Sequence, residues 1–231
     1  MATVWFLTLF SCHHHYMTQT TLNLISTFSA LLPITIGATL IIKAGYPHRL
    51  LLFLILYGFL TDVLVGYLYL HNYTLISQFL FNIYSPVECI LFCLILHSIL
   101  SSSAEKKFIS IFAIISIAVW LYLNVDFNPL KWHDTFLNAY YVTIYQMIIA
   151  CLAASVLLQL TQQQHAMATL PIFWLSLGVF IYCFCTFVVN GLVQTNALEE
   201  IWWLHNIINI IATLIFTQAF LTIKKQTPIK N

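Results

Sequence analysis

The chain has 231 residues, of which 61% are hydrophobic and only 6% are charged, with a formal net charge of +1. A soluble globular domain carries about 25% charged residues, so this composition excludes an ordinary water-facing surface and favours one that faces lipid. The small net charge argues against a nucleic-acid partner and leaves the lipid bilayer as the expected environment.

The first twenty residues precede the first full-length apolar stretch. Residues 2–11 are apolar, but a membrane-spanning helix needs about 20 such residues. Because no basic region precedes them, a signal peptide is not expected. We interpret residues 1–20 as an interfacial segment or as a helical extension of the first span. The run His13, His14, His15 is interpreted as a polar linker, with a metal site as the alternative.

Seven apolar stretches follow, and each is long enough to cross the membrane as a helix. They predict spans at 21–42, 50–70, 75–99, 108–125, 136–160, 168–191 and 198–222. A short basic tail, 223–231, ends the chain. The expected fold is therefore all-α, an integral membrane seven-helix bundle that forms one domain over residues 21–222.

The basic residues predict an orientation for this bundle. With seven spans, one side of the membrane receives seven of the eight Lys and Arg residues, and the other side receives only Lys131. Because cytoplasmic loops are enriched in Lys and Arg, we expect the N-terminus outside and the C-terminus in the cytoplasm. The expected location is a bacterial inner (cell) membrane, with several crossings. The basic side holds Lys43, Arg49, Lys106, Lys107, Lys224, Lys225 and Lys230.

Two carboxyl groups fall inside the predicted spans, Asp62 in the second and Glu88 in the third. A charge at mid-membrane costs about 2.5–3.5 kcal/mol on insertion scales, so such residues face the bundle interior and often mark function. Gly58 and Gly66 stand one turn before and after Asp62, and small residues let a neighbouring helix approach closely. The alternative interpretation is that both carboxyl groups are protonated and only hold helices together.

Other polar side chains share this depth, whereas the inner half of the predicted bundle is more apolar. This gradient predicts a polar pocket that opens outward above Asp62 and Glu88. A metal held by Asp62, Glu88 and His205 is a weaker alternative, as is one on the helix face of Cys89, Cys93 and His97. The predicted ligand-binding residues are Asp62, Glu88, Tyr84, Asn82, Tyr145, His205 and Asn209.

Short motifs in three spans resemble a family of small seven-helix membrane proteins common in Bacteroidetes-type bacteria. The resemblance covers most of the chain and implies a seven-span fold with an acidic residue in the second span, here Asp62. It implies no activity. The matching residues are Pro86 and Glu88 in the third span, Phe173, Trp174 and Gly178 in the sixth, and His205 and Asn209 in the last.

Three functions fit these observations, and a purely structural or assembly role is a further alternative. The favoured one is receptor-like or sensory binding of a small ligand in the outward pocket, without enzymatic activity or a cofactor. Its loops are too short for an output domain, so a separate signalling partner is expected. The second is a membrane-embedded, metal-assisted lipid hydrolase that uses Asp62, Glu88 and His205. The third is a proton- or ion-coupled transporter in which the carboxyl groups form a relay.

Overall fold

A computed structural model of the chain describes residues 13–124, 135–163, 166–193 and 198–226, and side chains over 21–124, 140–162, 166–191 and 203–225. Within these ranges the regular structure is entirely helical. The α-helices are α1 (His13–Ser29), α2 (Leu31–Leu40), α3 (Tyr46–Leu70), α4 (Thr74–Ile99), α5 (Ser103–Asn124), α6 (Thr135–Gln163), α7 (Pro171–Val193) and α8 (Leu198–Gln226), with a 3-10 turn at Met167–Thr169.

Seven helical segments among the described residues are long and apolar enough to cross a membrane. This confirms the all-α fold and the predicted number of spans, and it indicates a multi-pass membrane protein. The segments are Thr21–Leu40, Tyr46–Leu70, Thr74–Ile99, Ser103–Asn124, Tyr140–Gln162, Pro171–Gly191 and Trp203–Lys225.

The ends of the first and last spans differ in detail from the prediction. The first span consists of α1 and α2, which meet at Ala30, a residue whose backbone angles stay α-helical. Because α1 begins at His13, residues 13–20 form a helical extension, while residues 1–12 lie outside the described part of the chain. The last helix continues to Gln226, so Lys224 and Lys225 occupy its final turn.

Six of the spans form a closed ring. Going round it, the α1–α2 span packs against α3, then α3 against α4, α4 against α6, α6 against α7, α7 against α8, and α8 back against α1 and α2. Helix α5 lies outside this ring, where it contacts α4 and α6. Few of its described side chains are buried, because most of its surface faces away from the bundle.

Small residues bring neighbouring helices of the ring close together. A Cβ atom built on Gly178 of α7 would lie 2.5 Å from Cε1 of Phe216 in α8. A Cβ on Gly37 of α2 would lie 2.9 Å from Cδ1 of Leu52 in α3. Close backbone approach at small residues is the usual way in which membrane helices gain packing energy.

Pro86 interrupts the hydrogen-bond ladder of α4. A proline has no backbone N–H, so the carbonyl of Asn82, four residues earlier, loses its donor within the helix. The indole Nε1 of Trp120 in α5 donates to this carbonyl at 3.0 Å. The contact satisfies the freed acceptor and attaches α5 to the ring.

The two ends of the bundle have different interiors. At the end where α2 meets α3 and α4 meets α5, apolar side chains fill the core, as the sequence predicted for this half. Examples of fully buried side chains there are Leu51, Ile95, Leu96, Leu175 and Phe220. The opposite end carries the α3–α4 turn, where Asn72 adopts a positive φ of 63°, a conformation that asparagine tolerates. The buried polar side chains described next lie in that half.

Candidate functional site

A cavity of about 440 Å³ occupies the half of the bundle that carries the Asn72 turn. Residues from α1, α3, α4, α6, α7 and α8 line it, whereas none of the described residues of α5 does. Six of the seven ligand-binding residues predicted from the sequence face this one space. They are Asp62, Glu88, Tyr84, Tyr145, His205 and Asn209.

Glu88 is held by three tyrosine hydroxyl groups from three helices. Tyr84, one turn earlier on α4, donates to Oε1 at 2.9 Å, and Tyr182 of α7 donates to the same oxygen at 2.7 Å. Tyr145 of α6 donates to Oε2. A carboxylate has about four acceptor positions, so three of them are occupied by protein donors. The side chain is 3% exposed and therefore sits in the cavity wall as a fixed acceptor.

The position of Tyr84 depends on its neighbours in α3. The ring of Tyr57 stacks on the ring of Tyr84, with centroids 5.5 Å apart. A Cβ atom on Gly58 would lie 3.2 Å from the Tyr84 hydroxyl oxygen. Gly58 therefore leaves room for this hydroxyl, which is the close approach that the glycine spacing around Asp62 predicted.

Asp62 lines the same cavity but differs from Glu88 in its exposure and its hydrogen bonding. Its side chain is exposed, and no described residue donates a hydrogen bond to its carboxylate. Because α3 begins at Tyr46, before the predicted span, Asp62 lies closer to the Asn72 turn than to the other end of the helix. A Cβ atom on Gly66 would meet nothing within 4 Å. The expected helix contact at Gly66 is therefore wrong, because this glycine faces the cavity.

The first half of α8 supplies the amide and imidazole groups of the site. His205 Nε2 lies 3.1 Å from Asn209 Nδ2, one turn away. The Asn209 Oδ1 atom is buried and has no hydrogen-bond partner among the described residues. Asn206 donates through Nδ2 to Asn23 Oδ1 of α1 at 2.6 Å, which ties the first span to the last beside the cavity.

The sequence interpretation missed some members of this site and included one that lies elsewhere. Tyr182, Asn23 and Asn206 line the cavity but were not among the predicted ligand-binding residues. Asn82 was predicted but is not a lining residue, since α4 turns it away and its carbonyl bonds Trp120. The i, i+4 spacing pairs Tyr84 with Glu88 along one helix, but it carries no information about side chains arriving from α1 or α7.

No group of three or more His, Cys, Asp and Glu side chains in the described part of the chain is arranged to hold a metal ion. Asp62, Glu88 and His205 share the cavity without forming such a group. Cys89 and Cys93 are buried, whereas His97, the third member of that helix face, is exposed. The Cys89 sulfur lies 3.2 Å from Ser116 Oγ, which is 2.8 Å from the Tyr141 hydroxyl. These cysteines are part of helix packing.

Among the described residues, the carboxyl groups that line the cavity have no lysine or arginine side chain beside them in its wall. The described lining residues include two carboxyl groups and one histidine, and they contain neither lysine nor arginine. Tyrosine rings contribute further electron-rich surface, from Tyr67, Tyr84, Tyr145 and Tyr182. Carboxylates and aromatic faces both attract cations, so this lining favours a positively charged group over an anion.

Comparison with protein families, with curated proteins and with solved structures found no match for this chain. The fold and the site alone define the class of this protein: it is a multi-pass membrane protein with a polar cavity inside a ring of six helices. The resemblance to the small seven-helix proteins of Bacteroidetes-type bacteria stays a prediction that rests on the short motifs of the third, sixth and last spans.

Proposed function

We propose that this membrane protein binds a small ligand carrying a cationic, hydrogen-bond-donating nitrogen in the cavity among α1, α3, α4, α6, α7 and α8. One observation carries the proposal: Asp62 presents a carboxylate to the cavity that no described residue bonds. An ionisable group inside a membrane-spanning helix marks a functional site by default. Because Asp62 has no donor among the described residues, a hydrogen-bond-donating cation is the first property that we expect of the ligand.

Glu88 and Asp62 have different roles in this proposal. Glu88 already accepts three tyrosine hydroxyls, so it acts as a rigid acidic wall that holds α4, α6 and α7 in place. Asp62 and the Asn209 amide face the cavity with acceptor atoms that lack described donors. An ammonium group has three donors and no acceptor, which suits a cavity whose wall carries two acceptor groups without described donors.

The proposal includes an orientation, a location and a mode of action. The basic residues at the α2–α3, α4–α5 and C-terminal ends support a cytoplasmic position for those ends and an outward-facing cavity in a bacterial cell membrane. The described connections are only a few residues long, as at His71–Tyr73 and Leu100–Ser102. Connections of this length have no room for an output domain. A separate signalling partner therefore transmits the binding event, which makes the protein receptor-like.

The test uses the full chain in lipid nanodiscs, with benzylammonium and benzoate as probes of equal size and opposite charge. Benzylammonium should raise the unfolding temperature, because a ligand that binds only the folded state stabilises it, and benzoate should not. Replacing Asp62→Asn should weaken benzylammonium binding by about tenfold or more. Glu105→Gln is the control, since the Glu105 carboxylate is bonded by Ser155 and Gln159 away from the cavity.

A second pair of variants tests the location of binding. A Cβ atom at either Gly66 or Gly191 would meet open space, but only Gly66 faces the cavity. Gly66→Leu should abolish benzylammonium binding, because its side chain enters the ligand's space, while Gly191→Leu should leave binding unchanged. Equal binding of benzoate, or full affinity in Asp62→Asn, would contradict the proposal. For the alternative of a metal-assisted hydrolase, the described residues offer no cluster of three or more His, Cys, Asp or Glu side chains that could hold the metal ion.

A further inference from the structure

The wall of the cavity between α1 and α3 differs from every other side. Helix α1 packs mainly on α8, and the first span reaches α3 chiefly through α2, at the end away from the cavity. Beside the cavity, a T-shaped contact between Phe28 and Phe59 joins α1 to α3, with ring centroids 6.2 Å apart. Helix α1 is therefore joined to α3 by far fewer contacts than to α8 on the side where the cavity lies.

The exposed lining residues all belong to these two helices. Lining residues on α4, α6, α7 and α8 are buried or half-buried, among them Ser85, Gln146 and Thr186. The exposed ones are Leu24, Phe28, Asp62, Val63, Tyr67 and Leu70, and apart from Asp62 they are apolar or aromatic. The exposed side of the cavity is thus an apolar rim around one carboxylate.

This rim lies along the sides of two membrane-spanning segments. Val63, Gly66, Tyr67 and Leu70 follow the spacing of one helix face of α3. Asp62 is eight residues before the end of α3, so it lies about 12 Å along the helix from that end at 1.5 Å per residue. The opening therefore faces the hydrocarbon of the cavity-side leaflet. The side chains at this opening suit contact with lipid chains, because Leu24 and Phe28 are apolar and are 54% and 52% exposed.

We infer that the ligand is a single-chain amphiphile with an amine headgroup, which enters laterally from the leaflet through the gap between α1 and α3. This inference rests on the proposed function, since Asp62 is the acceptor of the ammonium group. The headgroup lies in the cavity beside Asp62, and the hydrocarbon chain stays between Leu24, Phe28, Val63 and Tyr67. A ligand with this shape meets both the acidic interior and the apolar rim, whereas a compact water-soluble cation would leave the rim unused.

Photolabelling of the full chain in nanodiscs tests the route. The probes are dodecylamine and dodecanol that carry a diazirine at the same mid-chain carbon, so they differ only in the headgroup. Labelled residues are mapped by mass spectrometry. The ratio of amine to alcohol labelling should be about tenfold higher at Leu24, Phe28 and Val63 than at Ile114 and Ile115, exposed residues of α5 that do not line this cavity. Benzylammonium should compete for the excess labelling at the rim, and Asp62→Asn should remove it.

The outcomes separate this inference from the function on which it rests. If benzylammonium binds and needs Asp62, but the amine probe labels α5 as strongly as the rim, lateral entry is wrong while the cation site stands. If neither amine binds in preference to its uncharged or anionic counterpart, the cation site itself is wrong and the lateral route falls with it. Excess rim labelling that benzylammonium removes supports both.

Discussion

At the scale of single residues, the contacts of Glu88 show which features spacing along a chain can reveal. Tyr84 and Glu88 are four residues apart, so their contact follows from helical geometry alone. Tyr145 was predicted from its depth in the membrane and does donate to Glu88. Tyr182 lies 94 residues from Glu88, and its contact depends on the rotation of α7 in the ring. The depth of these side chains in the membrane was therefore predictable, whereas the rotation of each helix about its axis was not.

The Tyr182 hydroxyl should stabilise the bundle through Glu88. Tyr182→Phe removes one donor to the carboxylate, and side-chain hydrogen bonds in membrane proteins contribute about 0.6–1.7 kcal/mol. The free energy of unfolding in detergent should fall by about that amount. In a Glu88→Gln background the same substitution should cost less, because the carboxyl acceptor is already gone. Tyr122→Phe, on a highly exposed side chain, is the control. An equal loss for Tyr122→Phe and Tyr182→Phe would contradict the expectation.

At the scale of the helices, hydropathy predicted the spans well and their irregularities poorly. Each predicted span overlaps an observed one, because about 20 apolar residues are a physical requirement for crossing. The boundary between α1 and α2 at Ala30 was not predicted, since the residues on both sides of it are similarly apolar. Pro86 frees the Asn82 carbonyl in α4, and the identity of the group that satisfies this carbonyl could not be predicted from the sequence. It comes from Trp120, 38 residues away.

The Trp120 contact should matter only while proline occupies position 86. Trp120→Phe keeps an aromatic ring but leaves the Asn82 carbonyl without its donor, so the free energy of unfolding should fall by about 0.6–1.7 kcal/mol. In a Pro86→Ala background, the new backbone N–H can bond Asn82 within α4, so Trp120→Phe should then cost clearly less. Unfolding of the four variants in one detergent measures the difference. Equal costs in both backgrounds would show that Trp120 acts through packing alone.

At the scale of the whole molecule, the number of spans and the polar half of the bundle were predictable, whereas the closed ring was not. The spans and the polar half follow from hydropathy and from the positions of polar residues along the chain. Both can therefore be predicted without knowing how the helices pack. The order of helices round the ring depends on contacts such as Gly178 with Phe216 and Asn23 with Asn206. Those pairs join segments that no local pattern relates.

The orientation of the bundle can be tested with the intact chain. If the basic end faces the cytoplasm, a green fluorescent protein fused after Asn231 should fluoresce in a bacterial host, because it matures in the cytoplasm. Alkaline phosphatase fused at the same position should be inactive, because it folds only after export. The reverse pattern would place the cavity on the cytoplasmic side and contradict the outward-facing pocket.

Helix α5 has a consequence for the site that its contacts alone do not suggest. None of its described residues lines the cavity, and the ring closes without it. Yet α5 returns the chain to the Asn72 side after α4, so that α6 starts there and α8 brings His205 to the level of Glu88. Loss of this one crossing would invert α6, α7 and α8 relative to α1, α3 and α4. Helix α5 therefore acts as a topological spacer: a peripheral segment that decides which halves of six other helices can meet.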